Sequence, residues 1–283
     1  MREAYPAKVL LLGEHTVLRG GQALAVPYDR LRLRWAEGTP DPRLLKFATY
    51  LDGQDVPIDT DSLGRDLRAG RTLAGNIPVG YGLGSSGAVC AAVLDAYGSP
   101  AVTAYSTADL RQLLARMEGH FHGSSSGTDP LLAYLQSPIL LGGAGSAEEQ
   151  PLPEGWAEGW FLIDTGITRD ASPLIREFLA AYDRDPLSID RGWREPADAA
   201  IQALIANDRE ALYRHFASVS DFQLARFPDF IPPAYHDSWN GGDRYRLKIC
   251  GAGGGGMLLG MARDAVRAEE VFGEELLWLT SGG

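Results

Sequence analysis

The chain has 283 residues, 45% hydrophobic and 22% charged, enough apolar side chain for one large core or two modest ones, so two domains of ordinary size are expected. Its formal net charge of -11, with no local gathering of Lys or Arg to offset it, excludes a nucleic acid or an anionic membrane surface as partner. The opening MREAYPAKVLLL holds no apolar run long enough for a signal or a span, and Cys90 and Cys250 both lie in apolar stretches; a cytoplasmic chain with buried thiols is expected.

Residues 8–12 form a short apolar run closed by Gly13, and residues 23–26 followed by Leu31, Leu33 and Trp35 alternate as further strands do. Lys8 is one of only three lysines, with Lys46 and Lys248, among 26 basic residues. A compact ammonium suits phosphate or alkoxide contacts that a planar guanidinium fits differently, although a strand-edge lysine with its stem along apolar surface accounts for it equally well. Glu14 and His15 stand at this strand's end, a common place for ligand contacts, where a lone histidine is also often satisfied structurally.

Residues 78–87, PVGYGLGSSG, are a glycine-dense loop running into a helix that Ser85 or Ser86 can cap and that stops at Gly98. Such a loop points successive backbone amides at an anion, and the helix N-terminus adds partial positive charge. Gly82, Gly84 and Gly87 also fit the spacing of a dinucleotide fingerprint, but the preceding AGRTLAGNIP makes a poor buried strand, and the GxxxxGK[ST] phosphate-binding pattern is absent.

Ser106, Thr107 and Asp109 open a second helix whose apolar stripe is Leu110, Leu113, Leu114, Met117 and Phe121; Glu118 falls on the same stripe. A carboxylate there is costly unless paired or metal-bound, or unless it turns out to solvent near the helix end. With a hydroxyl from Ser85 or Ser86 it is a candidate ligand for Mg2+. A zinc site of Glu118, His120 and His122 lacks the further ligands zinc needs. Asp129 follows the polar segment HGSSSGT and precedes Pro130; an N-cap role explains it fully, and a catalytic carboxylate handling a hydroxyl proton is the alternative.

After a strand at 139–141, a glycine and acidic loop at 142–155 suits a domain boundary, and the rest reads as α+β. Strands are expected at 160–166, 245–250, 257–262 and 276–280, with helices at 172–182, 196–204, 208–216, 218–226 and 265–272. The cluster GAGGGG at 251–256 is richer in glycine than a tight hairpin requires, which favours close approach to a ligand or another backbone.

Three segments, PAKVLLLGEHTVLRGGQALAVP at 6–27, PVGYGLGSSG at 78–87 and KICGAGGGGM at 248–257, occur in the order of the GHMP kinase family, which the chain resembles. The resemblance implies an α+β fold of two domains, 1–145 of β-α-β type with a left-handed crossover and 146–283 ferredoxin-like, with ATP and Mg2+ in the cleft between them. By position it implies that Gly80, Gly82, Leu83, Gly84, Ser85, Ser86 and Gly87, with Gly253 and Gly254, bind ATP, and that Ser86 and Glu118 hold Mg2+. Asp129 would contact the accepting hydroxyl and Lys8 would stabilise it; Glu14, His15 and Thr168 would contact the substrate.

Within the family, Glu14-His15 followed by Thr16-Val17, the segment HGSSSGTD at 122–129 and DTGITR at 164–169 look most like the mevalonate kinase branch. Galactokinases carry an acidic residue where Val17 stands, and phosphomevalonate kinases tend to carry tyrosine in place of His15. Ser125 stands for the usual proline, Gly87 for the usual alanine and Ala7 for the usual glycine, and the stretch between the first two motifs is short. The expected activity is phosphorylation of a small molecule, mevalonate first, with phosphomevalonate, a sugar or another hydroxylated acid as alternatives. A decarboxylase of the same superfamily and a non-catalytic nucleotide-binding protein are the other readings, and a homodimer is left open.

Overall fold

The structure, a computed structural model, describes residues 1–142, 145–168 and 171–280. In the first half, β1 (Tyr5–Leu12) pairs antiparallel with β2 (Ala23–Glu37), and the alternating residues up to Trp35 belong to this one 15-residue strand. Between the first two glycine-bearing segments lie α1 (Pro42–Asp52), α2 (Thr60–Arg68) and β3 (Arg71–Gly75), none of them anticipated. Asp41 and Asp59 cap the two helices, accepting from the backbone N–H of Arg43 at 2.8 Å and of Ser62 at 3.0 Å. Each turns a short apolar face inward, with Phe47 and Leu51 from one and Leu63 and Leu67 from the other.

Three further helices follow: α3 (Ser85–Tyr97), α4 (Thr107–His122) and α5 (Thr128–Leu135). Ser106 caps α4 through the N–H of Asp109 at 3.2 Å, as the sequence suggests. Helix α3, lined with alanines, is buried on most sides and lies between β1 and α5, because small side chains let neighbouring backbones come close. Strands β4 (Ile139–Leu141) and β5 (Ala147–Glu149) complete the first sheet, in order β1-β2-β4-β5 with β3 also on β2, all pairs antiparallel. This sheet therefore extends past residue 145 to Glu149.

The second half carries β6 (Trp160–Asp164), α6 (Ala171–Arg184), α7 (Pro186–Ile189), α8 (Glu195–Ile205), α9 (Arg209–Arg226), β7 (Tyr245–Ile249), β8 (Met257–Ala262), α10 (Ala265–Phe272) and β9 (Leu276–Trp278). Its sheet has the order β7-β8-β6-β9, again antiparallel throughout. Two helices expected at 208–216 and 218–226 are one, α9; Ser218 does not interrupt it, because its hydroxyl donates to the carbonyl of Arg214 at 3.1 Å. The whole is α+β, with no helix among the described residues long and apolar enough to cross a membrane.

Alternation along β6 ties the halves together. Trp160 and Leu162 face a core shared with β1 and β2 (Tyr5, Val9, Leu11, Val26) and with Ile201 and Phe216 of α8 and α9. Phe161 and Ile163 point the other way, into an aromatic cluster with Phe178, Trp193, Phe227 and Phe230. At about 1.5–3 kcal/mol for each fully buried large apolar side chain, the shared core is a firm joint between the two sheets.

Candidate active site

No side chain caps α3; its N-cap is Gly84, held in the left-handed region at φ 73. The first-turn amides at 85–87 therefore have no partner within the helix, and they carry the positive end of its dipole. They open on a cleft of about 440 Å³ lined by Gly80, Gly82, Leu83, Gly84, Ser85 and Ser86 on one side and by Glu118, His122, Ser124–Ser126 and Asp129 on the other. Ala171 and Ser172, at the start of α6, reach the same cleft from the second half.

β1 is stitched to this loop by the N–H of Lys8, which donates to the carbonyl of Leu83 at 2.8 Å. The Lys8 ammonium lies 3.2 Å from Oδ2 of Asp129. The N-cap explanation of Asp129 fails, because α5 begins one residue earlier at Thr128 with Gly127 as its cap, and the Asp129 carboxylate is turned to Lys8 instead. Glycine makes the approach feasible: a Cβ on Gly87 would stand 2.7 Å from both the carbonyl carbon of Asp129 and the nitrogen of Pro130. One on Gly84 would sit 3.3 Å from Cβ of Lys8 and 3.4 Å from Oδ2 of Asp129.

Glu118 does not turn out to solvent. It is buried, its Oε1 accepts from the Ser86 hydroxyl at 2.8 Å, and its Oε2 accepts from the Ser125 hydroxyl. His122 Nε2 lies 3.0 Å from the same Ser86 oxygen. Burial, and then the charge of Asp129, push the Glu118 carboxyl above the ordinary glutamate range. Among the described residues no lysine or arginine pairs with it. The donor set is thus all oxygen, anionic and short of positive charge, which fits a hard cation such as Mg2+ that shares its remaining positions with water and phosphate. It does not fit zinc: among the described residues no three His, Cys, Asp or Glu side chains converge, and the His120 ring lies against Phe47 and Tyr50.

A family profile described as "GHMP kinases N terminal domain" matches residues 60–137, a span that holds the glycine loop, Glu118 and Asp129. The mevalonate kinase of Archaeoglobus fulgidus is 27% identical over 267 residues, covering 90% of each chain. The chain is thus similar to the GHMP kinases, to their N-terminal domain by the profile and to a mevalonate kinase along nine-tenths of its length. Among solved structures, L. major mevalonate kinase in complex with R-mevalonate aligns with a TM-score of 0.66 at 19% identity, over 98% of this chain and 94% of that one. Streptococcus pneumoniae phosphomevalonate kinase in complex with phosphomevalonate and AMPPNP aligns with the same TM-score of 0.66 at 17% identity, over 98% of both. Two neighbours with different acceptors match equally well, so the fold alone does not select the acceptor.

Glu14 and His15, expected at the acceptor, are engaged within the protein. Glu14 is 1% exposed and pairs at 2.7 Å with the ammonium of Lys248, itself fully buried on β7. Its other oxygen accepts from Nε2 of Gln223 on α9 at 2.7 Å, and the Gln223 carbonyl accepts from the N–H of Ile249 at 3.0 Å. His15, at φ 60, is buried among Phe178, Trp193 and Phe230, and its Nε2 bonds the carbonyl of Ala252 at 3.0 Å. Both lock the turn after β1 onto the glycine loop that follows β7. Lys248 carries a hint in the sequence, being one of three lysines; Gln223 carries none.

Gly253 and Gly254, expected on ATP, do not line the cleft; their open sides are filled by Phe230 and Leu174, and the N–H of Gly254 donates to the carbonyl of Phe230 at 2.6 Å. The loop instead meets the first glycine loop at Gly256, where a Cβ would be 2.7 Å from the carbonyl of Tyr81. The Gly256 N–H donates to the carbonyl of Ile167 at 2.7 Å, and Thr168, next along, is exposed. Arg169 of the 164–169 segment lies outside the described residues.

Proposed function

We propose that this chain transfers the γ-phosphoryl group of ATP, with Mg2+, to the primary hydroxyl of mevalonate, giving 5-phosphomevalonate. The observation that carries the reading is the Lys8–Asp129 pair, 3.2 Å apart, beside the uncapped N-terminus of α3. Phosphoryl transfer asks little covalent chemistry of a protein and much positioning and charge stabilisation, and these residues provide both. The α3 amides hold the phosphate oxygens; Asp129 orients the acceptor hydroxyl and takes its proton; the Lys8 ammonium, next to Asp129, steadies the oxygen as it loses that proton. Ser86 and Glu118 would hold Mg2+, which when bound neutralises charge on the phosphates.

Mevalonate as acceptor rests on the relatives, among them the Archaeoglobus fulgidus mevalonate kinase aligned over nine-tenths of each chain. Two domains, 1–145 and 146–283 apart from β5, which stays on the first sheet, with the donor site carried by the first, are our reading of the chain's organisation, as is a cytoplasmic location.

A coupled ADP-release assay with Mg-ATP against mevalonate, phosphomevalonate, galactose and homoserine tests the reading. Turnover with mevalonate alone is expected. Turnover only with another member keeps the site chemistry and overturns the acceptor; carbon dioxide release from an acidic substrate overturns the reaction; and ATP binding without turnover on any acceptor overturns the enzyme.

A further inference from the structure

We propose that Ser125 is a positioning residue that fixes the Glu118 carboxylate for cation binding. The inference rests on the reading of Glu118 as a cation ligand. Ser125 is one of the positions where the sequence departs from the pattern it resembles, and its hydroxyl is fully engaged: it donates to Oε2 of Glu118 and accepts from the N–H of Gly127 at 2.9 Å. With Oε2 taken, the Glu118 carboxylate cannot rotate freely, and Oε1 is left 2.8 Å from the Ser86 hydroxyl oxygen, at the cleft. The Ser86 hydroxyl and Glu118 Oε1, hydrogen-bonded to each other, are thereby held side by side at the cleft before any cation arrives. Carboxylates that ligate metals are ordinarily held through their other oxygen, and losing that outer hydrogen bond weakens metal binding about 10–100-fold. Through Gly127, the cap of α5, the same hydroxyl also joins the Glu118 carboxylate to the helix that carries Asp129.

Mn2+ binding followed by electron paramagnetic resonance, with a non-hydrolysable ATP analogue present, tests this on the full chain. Ser125→Ala is expected to weaken Mn2+ roughly 10–100-fold, leaving affinity for the analogue without metal unchanged, while Ser125→Thr, which keeps the hydroxyl, restores binding to within about threefold. Should Ser125→Ala not fold, Ser125→Cys carries the same expectation, because a thiol is a poor donor. Wild-type Mn2+ affinity in Ser125→Ala, beside a clear loss in Glu118→Gln, overturns the role of Ser125 alone. Wild-type affinity in Glu118→Gln as well overturns the assignment of Glu118 and the proposal with it.

Discussion

Among the described residues two glutamates lie buried, and their surroundings differ in one respect that separates joint from site. Glu14 has a lysine against it, and the glutamine beside it completes a closed set of partners from the turn after β1, from α9 and from β7. Glu118 has only hydroxyls, and the nearby Asp129 adds negative charge. Burial pushes both carboxyls up, but at Glu14 the Lys248 ammonium opposes the shift, whereas at Glu118 a second carboxylate adds to it. A buried acid that carries its own counter-charge is finished; one that faces another acid across a cleft leaves room for a cation from outside.

The strongest way to test the open site is to remove the charge facing Glu118. Asp129→Asn is expected to lower turnover by about 10²–10⁴-fold with ATP affinity retained, measured by the ADP-release assay; activity equal to wild type would dismiss Asp129 as the group that handles the hydroxyl proton. Next comes the closed site. Glu14→Ala leaves a buried lysine unpaired and should cost about 3–5 kcal/mol in denaturant unfolding, while Glu14→Gln combined with Lys248→Met should recover most of that loss. An acceptor KM that rises in the double variant, with stability and ATP KM unchanged, would return Glu14 to the substrate.

Gly87→Ala probes the convergence on which the open site depends. Its Cβ would stand 2.7 Å from Asp129 backbone, so α5 must move, at about 1–3 kcal/mol and with a fall in kcat larger than any change in ATP KM. The smallest effect is expected at Glu118 itself. Because its pKa is raised in the fold, its ionised form is destabilising above that pKa, and the cost fades as pH falls toward the ordinary carboxylate range. Without divalent ions, Glu118→Gln should therefore melt above wild type at neutral pH by on the order of 1 kcal/mol, and the gap should close on acidification. In wild type, divalent-ion affinity should fall as pH drops through the raised pKa, since proton and cation compete for one carboxylate.

Local signals made the open site readable in the sequence. The glycine loop, the acid on an apolar helical stripe and the acid before a proline are each visible within a few residues, and the structure brings all three to one cleft together with Lys8. The closed joint was not readable, because what decides the fate of Glu14 and His15 is a lysine and a carbonyl at the far end of the chain. The helices at 42–52 and 60–68 escaped notice for another reason: each is short, and only a few inward residues interrupt an otherwise polar stretch. The antiparallel edge position of β3 accounts for the weak strand signal before the glycine loop.

The joint also sets a timetable. Synthesis delivers Glu14, with the apolar faces of β1 and β2, long before the ribosome reaches Lys248 and the strands that cover them. The nascent first half must wait with an acid and an apolar sheet face exposed, and contacts so distant in sequence form late and slowly. The protein can close its first turn for good only when its last strands have arrived.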